Sequence, residues 1–404
     1  MDNNAGKMPK QTNYFLIIIA QLYVIQGISV GLAFDAYPIL LRNAGISLAV
    51  IAMVPLAALP WVVKFLWAPM IENHWLKTIG YRKSWLLPMQ CLLAILITII
   101  AFTPFTAETT SYLLVIIMLS SIASATQDIA TDGLAADLAQ SNTITQINSI
   151  QVMGNTVGML LGGAGVISCY DYLGKTYSIL LLVVFIIASI IQLTIWKEPN
   201  SIHALQAKPR ATISHFFKRK NAYQMLSLVL MVPFAGSVIF AMTKFILLDH
   251  GLSVSDIGFY TGIGGYFTML IGCSIAAYLL KTKQPYQLLE LDFSLLILLI
   301  ILWCVLYYIP TLINLISIII IITILGIAIG MINVCIYTMT MAYAKNGKQS
   351  TTDYAIFQSS LLLSEIIAAS LSMTIAEYVN YLMAFLLALL SIIAIKLTYK
   401  HISI

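Results

Sequence analysis

Two aspartates, Asp128 and Asp132, lie four residues apart within a long apolar stretch of the chain. Residues at this spacing share one face of a helix. Two like charges on that face oppose each other, so either one carboxyl is protonated or a cation lies between them. Such a pair suits proton coupling. An alternative is that one or both aspartates pair with a basic residue and simply hold helices together.

Four other charged residues interrupt apolar stretches. Lys64 is a candidate partner of the aspartates, because its stretch ends at a similar depth; its alternative is snorkelling to the membrane interface. Glu365 lies mid-stretch and is a third proton-coupling candidate. Lys244, near the outer end of its stretch, is a second charge partner. For Glu365 and Lys244 alike, an equal alternative is an ion pair that only holds helices together. Asp35 is either interfacial or faces a cavity.

Uncharged polar side chains accompany these charges within the apolar stretches. They could contact a polar substrate, and each alone could equally be an interhelical hydrogen bond. Together with Asp35, the substrate-binding candidates are Gln26, Gln127, Asn148, Gln151, Asn155, Asn333 and Gln358.

The composition identifies the elements that must position these residues. Of the 404 residues, 60% are hydrophobic and 9% are charged, and the mean hydropathy is +0.93. Soluble domains carry roughly 25% charged residues, so lipid must be the main solvent. Only helices satisfy the backbone in lipid over apolar runs of this length. The sequence predicts an all-α membrane protein with twelve spans, over 14–38, 47–67, 85–103, 112–137, 146–169, 176–196, 222–247, 254–280, 287–309, 312–343, 351–376 and 380–398.

The basic residues predict the orientation. With the N-terminus in the cytoplasm, 17 of the 21 lysines and arginines fall on the cytoplasmic side; Arg42 and Lys175 fall outside, and Lys64 and Lys244 within spans. Both termini are therefore expected in the cytoplasm, and the basic excess reflects topology and not a nucleic-acid surface.

The five cysteines form no CxxC pair. We expect a monomer without cofactor, metal site or enzymatic activity.

Two halves of the chain look related. Ala44–Leu48 after the first span resembles His250–Val254 after the seventh, at an offset of 206 residues. At the same offset, Asn148–Ile150 falls on Tyr354–Ile356. These matches predict two pseudo-symmetric six-helix bundles, 1–198 and 222–404, joined by a cytoplasmic linker at 199–221. A substrate site between such halves is expected near the midplane.

Longer motifs resemble a known family. Lys64–Pro69, Gly80–Trp85 and Ala125–Gly133 are similar to the branch of the major facilitator superfamily that contains AmpG-type muropeptide permeases and acetyl-CoA transporters. Gly80, Arg82 and Lys83 occupy the place of the superfamily's gating loop between spans two and three. Glu72 stands where the family usually has Asp. Ile25–Gly27, Asn73–Leu76 and Pro88–Gln90 resemble the siderophore importers of the rhizobactin and pyochelin type more than AmpG.

The resemblance implies a function. It implies proton-coupled import of a ferric siderophore across a bacterial inner membrane by alternating access, with protons and the lipid bilayer as the other partners. No GxxxxGK[ST] nucleotide-binding motif is present. One alternative is a permease for muropeptides. A distant one is an intramembrane prenyltransferase, because Asp128 and Asp132 look like half of a magnesium-diphosphate site, although no second acidic cluster accompanies them.

Overall fold

The computed structural model describes residues 10–46, 54–76, 78–139, 143–198, 210–252 and 254–399. Ten helices of this part of the chain are long and apolar enough to cross a membrane, by length and composition. The first half contains α1 (Tyr14–Leu41), α4 (Lys83–Phe102), α5 (Ala107–Leu138), α6 (Ile144–Tyr170) and α7 (Tyr172–Ile195). The second contains α9 (Ala222–Leu247), α10 (Phe259–Leu279), α11 (Pro285–Tyr308), α12 (Leu315–Lys345) and α13 (Ser350–Ala376).

Shorter helices complete the chain. They are α2 (Leu59–Val63), α3 (Ala68–Asn73), α8 (Ile213–Phe217) and the apolar α14 (Tyr381–Lys396). The described elements are all helical, so the predicted all-α membrane class is confirmed. Turns of π-helix lie at Leu32–Ala36 in α1, at Leu161–Gly165 in α6 and at Gly258–Gly264, where the last follows a short helix at Val254–Ile257. Turns of 3₁₀-helix lie between helices, at Val54–Ala58, Lys64–Leu66 and Pro310–Leu312.

The predicted second span, 47–67, differs from the structure. Residues 47–53 lie outside the described part of the chain, and the remainder is a series of short helical pieces. Proline occupies the first turn of both α2 and α3, at Pro60 and Pro69. Proline lacks an N–H and is tolerated at a helix start but not in its interior. The prolines therefore explain why this segment is not one continuous helix.

Two compact units make up the chain. Unit 1 is Met1–Thr143 with Met153–Pro209, and unit 2 is Ile144–Val152 with Arg210–Ile404. In unit 1, α1 packs closely on α6 because glycines remove side chains from the crossing: a Cβ at Gly158 would meet the Gly27 Cα at 2.7 Å. The predicted limits at 198 and 222 stay a prediction, and linker residues 199–209 lie outside the described chain.

Candidate functional site

A buried ion cluster lies between α5 and the 3₁₀ turn that follows α2. Lys64 begins that turn, and its ammonium contacts the Asp128 carboxylate directly. The same Nζ lies 3.7 Å from Oδ2 of Asp132. The three side chains are at most 3% exposed. The structure thus brings Lys64 and both aspartates together, with the lysine as the cation beside the carboxylate pair.

Tyr23 of α1 completes this cluster. Its hydroxyl donates a 2.9 Å hydrogen bond to Oδ1 of Asp132, and the side chain is fully buried. Sequence reasoning missed Tyr23. A signal was available, because Tyr23 lies three residues before the candidate Gln26 and so on the same helix face. The hydrogen bond connects α1 to the ion cluster on α5.

The charges of this cluster define its chemistry. With all three groups ionised, two carboxylates face one ammonium and leave one net negative charge. Uncompensated charge in an apolar interior is costly. Binding of one proton by the pair removes that charge while Lys64 keeps a carboxylate partner. The geometry therefore suits uptake and release of a single proton.

Polar candidates of unit 1 offer hydrogen-bond acceptors. The side-chain oxygens of Gln26, Gln127 and Asn155 are buried and accept no hydrogen bond from described residues. The Gln127 amide donates a long bond, 3.4 Å, to the carbonyl of Leu22. Buried amide oxygens are nearly always paired in proteins, so these groups are able to accept from a bound polar molecule.

Asp35 lies apart from those amides. It belongs to the π-helical turn Leu32–Ala36 of α1, and its carboxylate borders the backbone at Gly163 of α6. A side chain at Gly163 would collide with it. The glycine therefore makes room for a half-buried carboxylate, and a cavity-facing role for Asp35 stays a prediction.

The candidates of unit 2 have separate surroundings. Asn148 is fully buried and donates to the carbonyl of Ile144 at 2.7 Å, while Gln151 accepts a 2.8 Å bond from the Tyr354 hydroxyl. Asn333 and Gln358 are half-buried. Gln151 and Tyr354 are thus joined by a buried hydrogen bond within unit 2.

Glu365 and Lys244 lie at different levels of unit 2. Ser364, next to Glu365, donates to the carbonyl of Leu230 on α9. Lys244 lies 14 residues further along α9, about 21 Å along the helix axis at 1.5 Å per residue. Its ammonium lies 4.3 Å from the Phe240 ring. The structure therefore does not bring these two charges together.

The predicted gating loop forms an ordered network at the start of α4. Arg82 donates through Nε and Nη2 to Oδ2 of Asp137, at 2.9 and 2.6 Å. The Glu198 carboxylate accepts the backbone N–H groups of Arg82 and Lys83, at 3.0 to 3.3 Å. An anion at a helix N-terminus is stabilised by the helix dipole. Gly80, at φ +124°, makes the turn that brings Glu198 onto these amides.

Tyr81 and Glu72 support the same loop. The Tyr81 hydroxyl donates to the carbonyl of Glu72 at 2.8 Å, and its ring lies 4.2 Å from the Arg82 guanidinium. Burial raises the pKa of Tyr81 to about 12, so the ring stays neutral. Burial opposes the charge on Arg82, but Asp137, Tyr81 and Glu72 outweigh it and raise its pKa. Arg82 is therefore a permanent cation that links α4 to α5.

A second arginine–aspartate pair lies in unit 2. Arg219, just after α8, pairs with the fully buried Asp353 of α13, and its guanidinium lies 4.0 Å from the Tyr343 ring. Gln349 donates to Asp353 at 2.7 Å. Sequence reasoning missed Arg219, Asp353, Asp137 and Glu198 as partners, since nothing in a single span indicates which distant charge it meets.

Comparison with known proteins gives the family. The sequence profile of the Major Facilitator Superfamily matches residues 19–352. The chain belongs to the Major Facilitator Superfamily. Its fold is similar to the proton:xylose symporter XylE (TM-score 0.73, 12% identity, 96% of both chains) and to the Escherichia coli fucose:proton symporter FucP (TM-score 0.68, 12% identity, 95% of this chain and 97% of FucP).

Two of the curated proteins that resemble this superfamily member have names of transporters or permeases. A Rickettsia conorii protein that carries the name transporter AmpG 4 is 26% identical over 64% of this chain and 66% of its own length. The anhydromuropeptide permease of Escherichia coli K12 is 24% identical over 60% of this chain and 50% of its own. The match thus spans about half to two thirds of these relatives. AmpG-like similarity is confirmed, and this superfamily member is a multi-pass membrane protein.

Proposed function

We propose that this transporter uses a proton gradient to import a polar solute, with Lys64, Asp128, Asp132 and Tyr23 as its coupling site. The observation that carries the proposal is the buried position of one ammonium beside two carboxylates. Within lipid such ionisable groups are costly unless paired. Four groups that lie together in unit 1, and whose net charge changes by one when a proton binds, are suited to sensing protonation.

Coupling follows from the shared lysine. When one carboxylate takes a proton, Lys64 loses an attraction and the hydrogen bonding of Asp132 to Tyr23 changes. A ligand, here the proton, shifts a conformational equilibrium by the difference in its affinity for the two states. Protonation therefore changes the relative energies of the outward- and inward-open states. Glu365 is the other proton-coupling candidate.

Two substrate classes follow from different observations. The similarity to the anhydromuropeptide permease of Escherichia coli favours an anhydromuropeptide. The motifs at Ile25–Gly27, Asn73–Leu76 and Pro88–Gln90 favour a ferric siderophore. Both are large polar molecules, for which the open amide oxygens of Gln26, Gln127 and Asn155 are suitable partners.

The proposed location is a bacterial inner membrane with both termini in the cytoplasm. The excess of lysine and arginine in alternate loops supports that orientation, and the bacterial relatives support that membrane. We also propose that the monomer is the working form.

The test is uptake by the purified protein in liposomes. Labelled anhydromuropeptide and a labelled ferric siderophore are offered separately, with an inward proton gradient and then with a protonophore. We expect accumulation of one of them that the protonophore abolishes. Asp128→Asn should abolish it at unchanged protein content. Glu290→Gln, which changes a half-exposed carboxylate near the start of α11, should leave it unchanged.

Three results would contradict the proposal. Gradient-dependent uptake that is undiminished in Asp128→Asn removes the coupling role of the cluster. Accumulation that survives the protonophore removes proton coupling altogether. Uptake of neither compound removes both substrate classes.

A further inference from the structure

A carboxyl group outside the proposed coupling site has no explanation in that function. Asp292 lies on α11, seven residues after its first residue, and is 0% exposed. Neither of its carboxyl oxygens has a hydrogen-bond partner among the described residues. Native structures pair most buried polar side-chain atoms. Asp292 is therefore an exception that requires a cause.

The helices packed against α11 are α12, α9 and α14. On α12, Cys335 lies close enough to interact electrostatically with Asp292, and it is also fully buried. The buried hydroxyl of Thr338, one turn further along α12, has no described partner either. On this side the recorded neighbour of Asp292 is therefore a thiol, and the only lysine or arginine of α12 is Lys345 at its last residue.

The cations of the other two neighbouring helices have other recorded contacts. On α14, Lys396 lies near the level of Asp292, but it pairs at 3.0 Å with the half-exposed Glu290. Glu290 is two residues before Asp292, and residues at that spacing do not share a helix face. On α9, Thr243 accepts from the indole of Trp303 at 3.0 Å. Trp303 is 11 residues beyond Asp292, about 16 Å along the axis, and Lys244 and Asp249 follow Thr243.

The other ionisable groups of α12 are Tyr337, Tyr343 and Lys345, all of which follow Cys335 along the helix. Tyr343 stacks under Arg219, which is paired with Asp353, and Lys345 ends the helix. Tyr337 lies one residue before Thr338, and its side chain is half-buried. Among the described residues, Asp292 thus forms no ion pair.

An ionised carboxylate in such a place would be strongly disfavoured. Transfer of an unpaired charge into an apolar interior costs so much that the group neutralises instead. Burial of a neutral aspartic acid also costs free energy, because the carboxyl loses its hydrogen bonds to water. Burial of a leucine side chain carries no such cost. In the packed state, a carboxyl at this position therefore stabilises the protein less than an apolar side chain would.

We infer that Asp292 is a proton-binding site of unit 2, neutral while α11 packs on α12 and able to exchange its proton when that contact opens. The ligand is a proton, and the site is separate from the cluster around Lys64. Its existence does not depend on which solute the protein carries.

Infrared spectroscopy of the purified full-length protein tests the neutral state. Protonated carboxyl groups give a carbonyl-stretch band that carboxylates lack. At neutral pH we expect Asp292→Asn to lose the intensity of one carboxyl from this band, and Glu290→Gln to lose none. An unchanged band in Asp292→Asn would overturn the inference.

Transfer into D₂O tests proton exchange. The Asp292 part of the band, taken as wild type minus Asp292→Asn, should shift to its deuterated frequency within the time needed for helix opening. A band that keeps its proton after the backbone amides of α11 have exchanged would show a site that does not open, and would overturn the exchange.

A thermal measurement covers the case in which Asp292→Asn does not fold. Asp292→Leu places an apolar group among apolar neighbours. If Asp292 is neutral and unpaired in the wild-type protein, the Asp292→Leu variant has a midpoint of thermal unfolding in detergent that equals or exceeds that of wild type. If Asp292 is ionised and held by a partner, the midpoint falls, and the inference fails.

Discussion

The hydroxyl of Tyr23 donates a 2.9 Å hydrogen bond to Asp132, and so links the first spanning helix to the ion cluster on α5. Both side chains are fully buried. Because of this contact, the position of α1 depends on whether the Asp132 carboxyl of α5 is protonated. In a transporter that moves between two states, such a contact joins local charge to helix position.

Tyr23→Phe should destabilise the protein. The substitution removes the hydroxyl that donates to Oδ1 of Asp132, and loss of a donor to a buried group costs about 1–3 kcal/mol. We expect a lower unfolding free energy in detergent. Tyr37→Phe is the matched control, because Tyr37 is also a buried tyrosine of α1 and its hydroxyl has no hydrogen bond to a described residue. Equal losses in the two variants would contradict a stabilising Tyr23–Asp132 bond.

Lys64 and Asp128 should be strongly coupled. Breaking a buried pair by removing one partner costs about 3–5 kcal/mol, because a charge is left unpaired. Lys64→Met and Asp128→Asn should each destabilise the protein, and the double variant should lose far less than their sum. A double-mutant cycle measured by unfolding in detergent gives the coupling energy.

The surface pair Lys396–Glu290 provides the comparison for that cycle. It is 3.0 Å long and partly exposed, and exposed pairs contribute about 0–1 kcal/mol. Lys396→Met with Glu290→Gln should therefore be nearly additive. A coupling energy for Lys64 and Asp128 no larger than this one would mean that the cluster is not an interacting unit.

Sequence patterns predicted the partner Lys64 but not the partner Tyr23, for a physical reason. Charges within apolar spans are few, so an unpaired lysine and an unpaired carboxylate at one depth are natural partners. A tyrosine in an apolar helix has an ordinary apolar role, and helical periodicity does not tell which neighbour its hydroxyl meets. The same limit applies to Asp292, whose isolation is visible only when three neighbouring helices are in place.

Helix existence was predictable where apolar length decides it. The predicted span 222–247 agrees with Ala222–Leu247, because twenty or more apolar residues suffice to identify a crossing. The segment around Pro60 and Pro69 was not predictable in the same way, since hydropathy averages over the backbone breaks that proline introduces. Prolines in an apolar window were the available signal.

Gly158→Ala should weaken the packing of α1 on α6. A Cβ there would meet the Gly27 Cα at 2.7 Å and overlap backbone atoms of α1. Helices cannot approach as closely once a side chain intervenes, and overpacking costs about 1–3 kcal/mol. We expect a lower unfolding free energy and less folded protein in the membrane, measured by fluorescence-detected size exclusion.

Gly236→Ala is the control for that substitution. The nearest atom to a Cβ at Gly236 is Cγ1 of Ile329, at 3.7 Å, an ordinary contact. Alanine also favours a helix over glycine by about 1 kcal/mol. This variant should be as stable as wild type or more so. Equal destabilisation of both would contradict close glycine packing as the cause.

Gln349→Ala should release α8 from unit 2. Gln349 accepts from the Thr212 N–H at 2.9 Å and donates to its carbonyl at 3.0 Å, while Phe216 of α8 is fully buried. Each lost hydrogen bond is worth about 0.5–1.5 kcal/mol net, so opening of this segment should become about tenfold more frequent.

Limited trypsin digestion at Lys218–Lys220 measures this opening, because cleavage follows the open population when reclosing is fast. Gln224→Ala, an exposed glutamine close to the same sites, should be cleaved like wild type. An unchanged rate in Gln349→Ala would mean that the packing of Phe216 and the Arg219–Asp353 pair suffice to hold α8.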